Sequence, residues 1–206
     1  MREALMMVIV LTVVCMVSAL SLTLINNFTH EKITEQKQKE TLKAINASLP
    51  VDQLHYNNDP SKDKVNIPEW TEKDGTPVEI YLAKRHNEIV GIAFKSNSEG
   101  YSGSIKIMIG IDKNEKILGI EIIEHHETPG LGSKIENTQF KDHFKGKIAE
   151  NSQDRNLSII KGRNAKYNWE IEALTGATIS SIGVVNAIND GMSKFRQYRS
   201  HILGEY

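Results

Sequence analysis

Hydrophobic positions along the chain follow three distinct patterns. Over residues 4–25 they run together as ALMMVIVLTVVCMVSALSLTLI, without one charged residue. As a helix this run would measure about 33 Å, enough to cross a bilayer core. Residues 26–48 then alternate charge at helical spacing through His30, Glu31, Lys32, Glu35, Lys37, Lys39, Glu40 and Lys43, with a thin apolar edge at Leu42 and Ile45. That pattern predicts a solvated helical stalk. Residues 50–77 are polar and broken by Asn57-Asn58-Asp59-Pro60 and Asp74-Gly75, which predicts an irregular lead-in with few regular elements. From Val78 onward the period changes to two. VEIYLA (78–83) and EIVGIAF (88–94) flank Lys84-Arg85-His86-Asn87; SIKIMIGI (104–111) and KILGIEII (116–123) flank Asp112-Lys113-Asn114-Glu115. Four such segments, rich in β-branched residues, predict an antiparallel meander. A further strand is expected at 157–161 and a short helix around Phe140 and Phe144. Apolar residues at 179, 182, 185, 188, 192 and 195 mark one face of a helix over 179–199. The expected fold class is α+β: a single N-terminal transmembrane helix (1–25), a stalk and lead-in (26–77), and one domain (78–206) with a mostly antiparallel sheet and packed helices.

Composition narrows the function. In 206 residues, 39% hydrophobic and 25% charged with a net charge of −1, the balance is that of a globular chain. It argues against disorder and against a basic nucleic-acid-binding domain. A single cysteine permits no intrachain disulfide, no cysteine-ligated iron–sulfur cluster and no CxxCH haem attachment. Any redox chemistry must therefore use another cofactor. Cys15 itself falls inside the apolar run and reads as a small hydrophobe.

The apolar run has two readings. We read it as an uncleaved signal anchor, because it continues past Val17-Ser18-Ala19 and is longer than a signal-peptide core. A signal peptide cleaved at that small-residue site is the competing reading. Basic residues lie on both sides of the run, and long C-terminal domains translocate largely regardless of them, so charge alone leaves the orientation open.

Two short segments interrupt the regular patterning. LTGATISS (174–181) stands where the last helix is expected to begin. Its hydroxyl residues could serve as an ordinary cap. A helix N-terminus also favours phosphate, with Gly176 and Ala177 leaving room for a bulky ligand and Thr178 presenting a hydroxyl. HHETPGLG (125–132) follows the fourth expected strand, and its Pro129, Gly130 and Gly132 make a rigid turn. Adjacent histidines on a strand end point in opposite directions, so we expect no metal site here. Backbone amides exposed beside a flat ring are the more useful possibility.

Taken together these residues resemble a known family. Thr175-Gly176-Ala177-Thr178, with Glu172 three residues before it, is similar to the flavinylation motif of FMN-binding domains; Glu172 stands where that family usually has Asp. Glu127-Thr128-Pro129-Gly130-Leu131-Gly132, with Lys134 and Glu136 following, looks like the second signature. Gly100-Tyr101-Ser102-Gly103 followed by an apolar strand and Gly110-Ile111-Asp112 is similar to the third. Their order, together with the N-terminal span, resembles the G-subunit family of Rnf (Rsx) electron-transport complexes. The C subunit of the sodium-pumping NADH:quinone reductase is a relative sharing the two main motifs.

That resemblance implies FMN bound covalently through a phosphodiester to Thr178, attached by an ApbE-type flavin transferase. It also implies Glu127, Thr128 and Leu131 as flavin contacts, Lys134 as a nearby positive charge, and Thr175, Gly176, Ala177 and Glu172 as the rest of the attachment motif. The chain would be an electron-carrying subunit of an ion-translocating oxidoreductase, without substrate turnover of its own. It would pass electrons among partner subunits, including a membrane flavoprotein D subunit, in a complex linking ferredoxin and NAD⁺ to Na⁺ or H⁺ transport. The anchor would lie in the cytoplasmic (inner) membrane with the flavin domain outside the cytoplasm. Two other classes are weighed against it. A membrane-anchored flavin sensor would be expected to carry signalling regions for which 206 residues leave no room. A pilin-like protein would be expected to carry a charge within its apolar helix.

Overall fold

The computed structural model describes residues 1–72, 75–148 and 156–204. Asp74 of one expected turn lies outside these residues, as do the side chains at 27, 28, 30 and 31, which include His30 and Glu31 of the charged stretch. The chain divides into two units, Met1–Thr41 and Leu42–Tyr206.

The first unit is part of one continuous helix, α1 (Arg2–Ser48). Its Arg2–Asn26 portion is long and apolar enough to cross a membrane, and none of it is buried within the protein. The two threonines of the run return their hydroxyls to the backbone, Thr12 Oγ1 to the Val8 carbonyl at 2.8 Å and Thr23 Oγ1 to the Ala19 carbonyl at 2.9 Å. No hydroxyl hydrogen of these two needs water, as a lipid-facing helix requires. The charged stretch is helical as expected, with Lys39 reaching Glu35 at 2.7 Å one turn away.

The second unit is built on a five-stranded antiparallel meander in the order β1 (Lys64–Thr71), β2 (Pro77–Arg85), β3 (Glu88–Glu99), β4 (Ser104–Asp112) and β5 (Ile117–Glu124). His86 and Asn87, both with positive φ, make the two-residue turn between β2 and β3, so these strands extend further than the sequence pattern implies. Asp112 organises the turn between β4 and β5 by accepting from the amides of Asn114 (2.8 Å) and Lys116 (2.9 Å).

Over residues 50–77 the structure differs from the expected irregular lead-in. A short helix, α2 (Val51–Leu54), and the edge strand β1 occupy it. Strict alternation fails in β1 because the pairing register shifts between Asn66 and Thr71. That shift brings Ile67 and Trp70, three residues apart, into the same core. Pro68 sits between them, on an edge where its missing N–H costs no ladder bond.

The sheet buries both faces. Ile80, Leu82, Ile92, Phe94, Ile107 and Ile109 join the larger core, while Tyr81, Ala83, Ala93 and Met108 alternate into a second one. Against the second face lie Ala44, Ile45 and Leu49 from the end of α1 and its exit, with Leu54 of α2. Gly110 and Gly119 pair across β4 and β5 beneath this helix end. A Cβ at Gly110 would overlap the Ser48 carbonyl, and one at Gly119 would come within 2.9 Å of the Ala47 oxygen.

Among the described residues, a 3-10 turn, two further helices and a strand pair follow the meander. A 3-10 turn (Gly132–Glu136) and α3 (Thr138–Asp142) follow the sheet, and then a parallel pair, β6 (Ser158–Ile160) and β7 (Glu170–Glu172). The last helix, α4 (Thr178–Leu203), lies against the larger core and buries Val184, Val185, Ile188, Met192 and Phe195. Asn189 of α4 holds Leu157 by two 3.0 Å bonds, to its amide and its carbonyl, and so docks the start of β6.

The glycine pair under α1 gives a direct test. Replacing Gly110 by Ala should destabilise the unit by about 1–3 kcal/mol, because its contact is backbone rather than a movable side chain; urea unfolding of the full chain measures it.

Candidate functional site

β7 leads into α4 through five residues, Ala173 to Ala177, and the chemistry collects around this junction. Gly176 adopts φ +79°, a conformation costly for other residues. Ser181 closes the loop: its hydroxyl donates to the Ala177 carbonyl and accepts from the Leu174 amide, each at 3.0 Å. The residue preceding the helix is Ala177, and no side chain caps it. The first-turn amides therefore keep the anion-binding character of an open helix N-terminus. The hydroxyl cap that the sequence allowed does not form; the serine inside the helix does the closing instead.

Thr178, the first residue of α4, opens onto a cleft of about 600 Å³, a size suited to a cofactor. Glu127, Thr128, Leu131, Gly176 and Ala177 line it, so most of the residues singled out from the sequence converge. Tyr101, Gly132, Lys161, Ile179 and Ser180 complete the lining. Three apolar side chains on the rim are bare for their size: Tyr101 at 68%, Ile179 at 51% and Leu131 at 47% exposure. A flat apolar ring would cover such surface, and Lys161 would offset an anion. This lining and the open helix end fit FMN, whose ring is aromatic and whose other end is a phosphate.

Thr175, Glu172 and Lys134 do not line the cleft. Lys134 belongs to the 3-10 turn, and Lys161 is the lysine found among the lining residues. Sequence reasoning missed Lys161 because it follows a three-residue strand whose place beside β7 is set by pairing 12 residues away, Ser158 with Glu170. Tyr101 belongs to a segment already singled out, but only the fold shows that it forms a wall.

Glu127 is 4% exposed. Its carboxylate accepts the Ser180 hydroxyl at one oxygen and the Ser102 amide (3.0 Å) at the other. His125 shapes the same turn. Its Nδ1 accepts the Glu127 amide at 3.0 Å, so its Nε2 carries the proton and donates to Glu136 Oε1 at 3.0 Å. Gly130, at φ +75°, donates its amide to Ser133 Oγ at 2.9 Å.

The loop between β6 and β7 is held by two carboxylates. Glu172 Oε1 accepts the Ala165 amide at 2.9 Å. Glu170 takes the Arg163 guanidinium and the Lys166 amide (2.8 Å). The hydrogen-bonded guanidinium, helped by the Lys166 and Tyr167 amides and opposed by burial, brings its carboxyl down to about 2. Tyr167 and Trp169 stack in this loop with centroids 4.7 Å apart.

Known proteins resemble the chain in sequence and in fold. The FMN-binding domain family matches residues 100–193. Over 94% of its length the chain is 30% identical to the G subunit of the ion-translocating oxidoreductase complex of Aliivibrio fischeri, covering 91% of that protein. It is 33% identical to the G subunit of the Na(+)-translocating ferredoxin:NAD(+) oxidoreductase complex of Acetobacterium woodii, over 88% of this chain and 86% of the relative. Among solved structures, the C subunit of the Na(+)-translocating NADH-quinone reductase from Parabacteroides distasonis superposes with a TM-score of 0.60. That match has 17% identity and covers 80% of this chain and 94% of that one. NqrC of Shewanella oneidensis gives 0.55 at 17% identity, over 68% of this chain and 70% of the other. At that identity the two structures speak for the fold: an α+β unit like theirs.

Because Glu170 is depressed from 4.5 to about 2 in the folded chain, the hold it exerts on its loop is complete above pH 4.5. It should be lost as pH falls through about 2. The Trp169 indole NMR resonance followed against pH should report this, and Glu170→Gln should abolish the titration.

Proposed function

The chain belongs to the family of G subunits of ion-translocating oxidoreductase complexes and carries an FMN-binding domain; from that premise we propose that it holds FMN covalently, as a phosphodiester on the Thr178 hydroxyl, and serves as an electron carrier within such a complex. The observation that carries the reading is the position of Thr178: first residue of an uncapped helix, facing a cleft with a bare aromatic and apolar rim.

Attachment is the work of a second protein. A threonine hydroxyl needs a base or a metal to become a nucleophile. Glu127, the carboxylate among the cleft-lining residues, is already committed to Ser180 and Ser102. A flavin transferase of the ApbE type, using FAD, supplies the missing activation: Thr178 loses its proton, its oxygen bonds to the FMN phosphorus and AMP departs. The first-turn amides of α4 and Lys161 would hold the phosphate, and Tyr101, Leu131 and Ile179 would cover the ring. Thr128 lies beside them on the 125–132 turn. When bound, FMN supplies one- and two-electron chemistry; the protein's share is position and exclusion of water.

The apolar helix anchors the chain in the cytoplasmic membrane, with the flavin domain on the extracytoplasmic side. Partners are the membrane flavoprotein D subunit and the integral subunits of an Rnf-type complex. Together they exchange electrons between ferredoxin and NAD⁺ and drive Na⁺ or H⁺ across the membrane.

Coexpression with a flavin transferase tests the attachment. Intact mass and peptide mapping should show a gain of FMN minus water on the peptide containing Thr178. Thr178→Ala should abolish in-gel flavin fluorescence while leaving the fold intact; fluorescence equal to wild type would refute the assignment. Glu172→Ala should lower flavin occupancy, since the loop preceding the motif loses its tie to Ala165.

A further inference from the structure

The two walls of the cleft come from distant parts of the chain, and one buried side chain joins them. Tyr101 stands on the turn 100–103 between β3 and β4, where the Gly100 amide donates to the Gly103 carbonyl at 2.7 Å. Thr178 stands on the first turn of α4. Glu127 comes from a third segment, after β5, and bonds both: the Ser102 amide beside Tyr101 and the Ser180 hydroxyl two residues after Thr178.

Backbone encloses the carboxylate on two sides. A Cβ on Gly100 would overlap Glu127 Oε1, and one on Gly132 would lie 2.8 Å from both Glu127 Oε2 and Ser180 Oγ. Ser180 is itself only 2% exposed. Each carboxylate oxygen is thus engaged by a donor and covered by a glycine. Hydrogen bonds to an ionised acceptor are roughly twice as strong as neutral ones. Losing the acceptor also leaves the buried Ser180 hydroxyl without its partner.

We infer that Glu127 is a positioning residue: through Ser102 and Ser180 its carboxylate locks the Tyr101 wall to the helix end bearing Thr178, and this clamp, rather than contact with the ring, fixes how the flavin ring is seated. The inference rests on the reading that FMN occupies this cleft. It separates attachment from seating. Attachment needs the Thr178 hydroxyl and the motif around it, whereas seating needs both walls at a fixed separation. It also assigns a reason for glycine at 100 and 132, since a side chain at either position would displace the carboxylate.

Glutamine at position 127 is the discriminating substitution. Its amide oxygen can accept the Ser102 N–H while its amide nitrogen donates to Ser180 Oγ, so both arms survive without the charge. Alanine removes both arms. The experiment uses the full chain, coexpressed with a flavin transferase and purified in detergent. Flavin content is read by intact mass, fold by far-UV circular dichroism, and ring seating by iodide quenching of flavin fluorescence and by the flavin's visible circular dichroism. Glu127→Ala should keep its flavin on Thr178, yet its quenching constant should rise roughly threefold or more as the two charge-assisted bonds are lost. Its visible circular dichroism should weaken. Glu127→Gln should restore both signals to wild-type values. Quenching of Glu127→Ala equal to wild type, or of Glu127→Gln equal to the alanine variant, would overturn the clamp. Should Glu127→Ala not fold, Ser180→Ala decides, because it cuts one arm only: a partial rise in quenching supports the clamp and wild-type quenching overturns it. The mass of the wild-type chain reports separately on the attachment reading.

Discussion

The close approach of α4 to the sheet sets the geometry of everything around it. Gly183, Ala187 and Gly191 fall one turn apart and form a small-residue ridge along the helix. A Cβ on Gly183 would lie 2.8 Å from the Glu99 carbonyl, and one on Gly191 would lie 3.0 Å from Phe94, Ser96 and Ile109 side chains. Between them Ser96 of β3 donates its hydroxyl to the Ala187 carbonyl at 2.7 Å. Side chains of ordinary size along this ridge would hold the helix off the strands. With the ridge in place the helix axis has little freedom, and Thr178, at its first turn, inherits a fixed position beside the turn 100–103. The apolar mass behind the ridge is large. Phe94 stacks on Phe195 with ring centroids 5.9 Å apart, and Trp70 packs on both Phe94 and Tyr198.

Much of this arrangement is legible in the chain itself. The meander from β2 to β5 announces itself through its alternation, because each strand is buried on both faces by residues of different size yet keeps period two. α4 is visible through the spacing of Val185, Ile188, Met192 and Phe195, although Ile179 and Ile182, which begin the same spacing, stay exposed at its first turns. What escapes the sequence is non-local. β1 carries its two core residues three apart, so its signature appears only when the register shift with β2 is known. Lys161 and Tyr101 look ordinary in their own segments, and it takes long-range pairing to place them at the cleft. For Glu127 the motif points to the right segment but not to the environment; its burial depends on three stretches meeting. Lys134 and Lys161 show how far a motif's neighbourhood in sequence can differ from its neighbourhood in space. Nearness to a motif favours Lys134, yet the lysine at the cleft comes from another segment.

Charge around the cleft is largely spent on holding backbone in place. The carboxylates at the cleft and in the loop beside it are engaged: Glu127 by Ser102 and Ser180, Glu172 by Ala165, Glu170 by Arg163. His125 is oriented by Glu136 and by the Glu127 amide. These groups hold backbone in place, and holding is what they are built for. Rigid surroundings need little rearrangement when charge arrives or leaves, which suits the electron carrier proposed above.

At its outer edge the sheet is guarded against extension. β1 carries Pro68 and breaks its register between Asn66 and Thr71, and Lys64 and Glu69 stand exposed along it. An unbroken edge invites another chain to add a strand, whether a misfolded copy or a neighbour in an assembly. Here the missing amide and the kink deny that template. Proteins meeting the domain along this border must recognise side chains rather than extend its sheet, a safeguard of value to any subunit kept at high local concentration beside others.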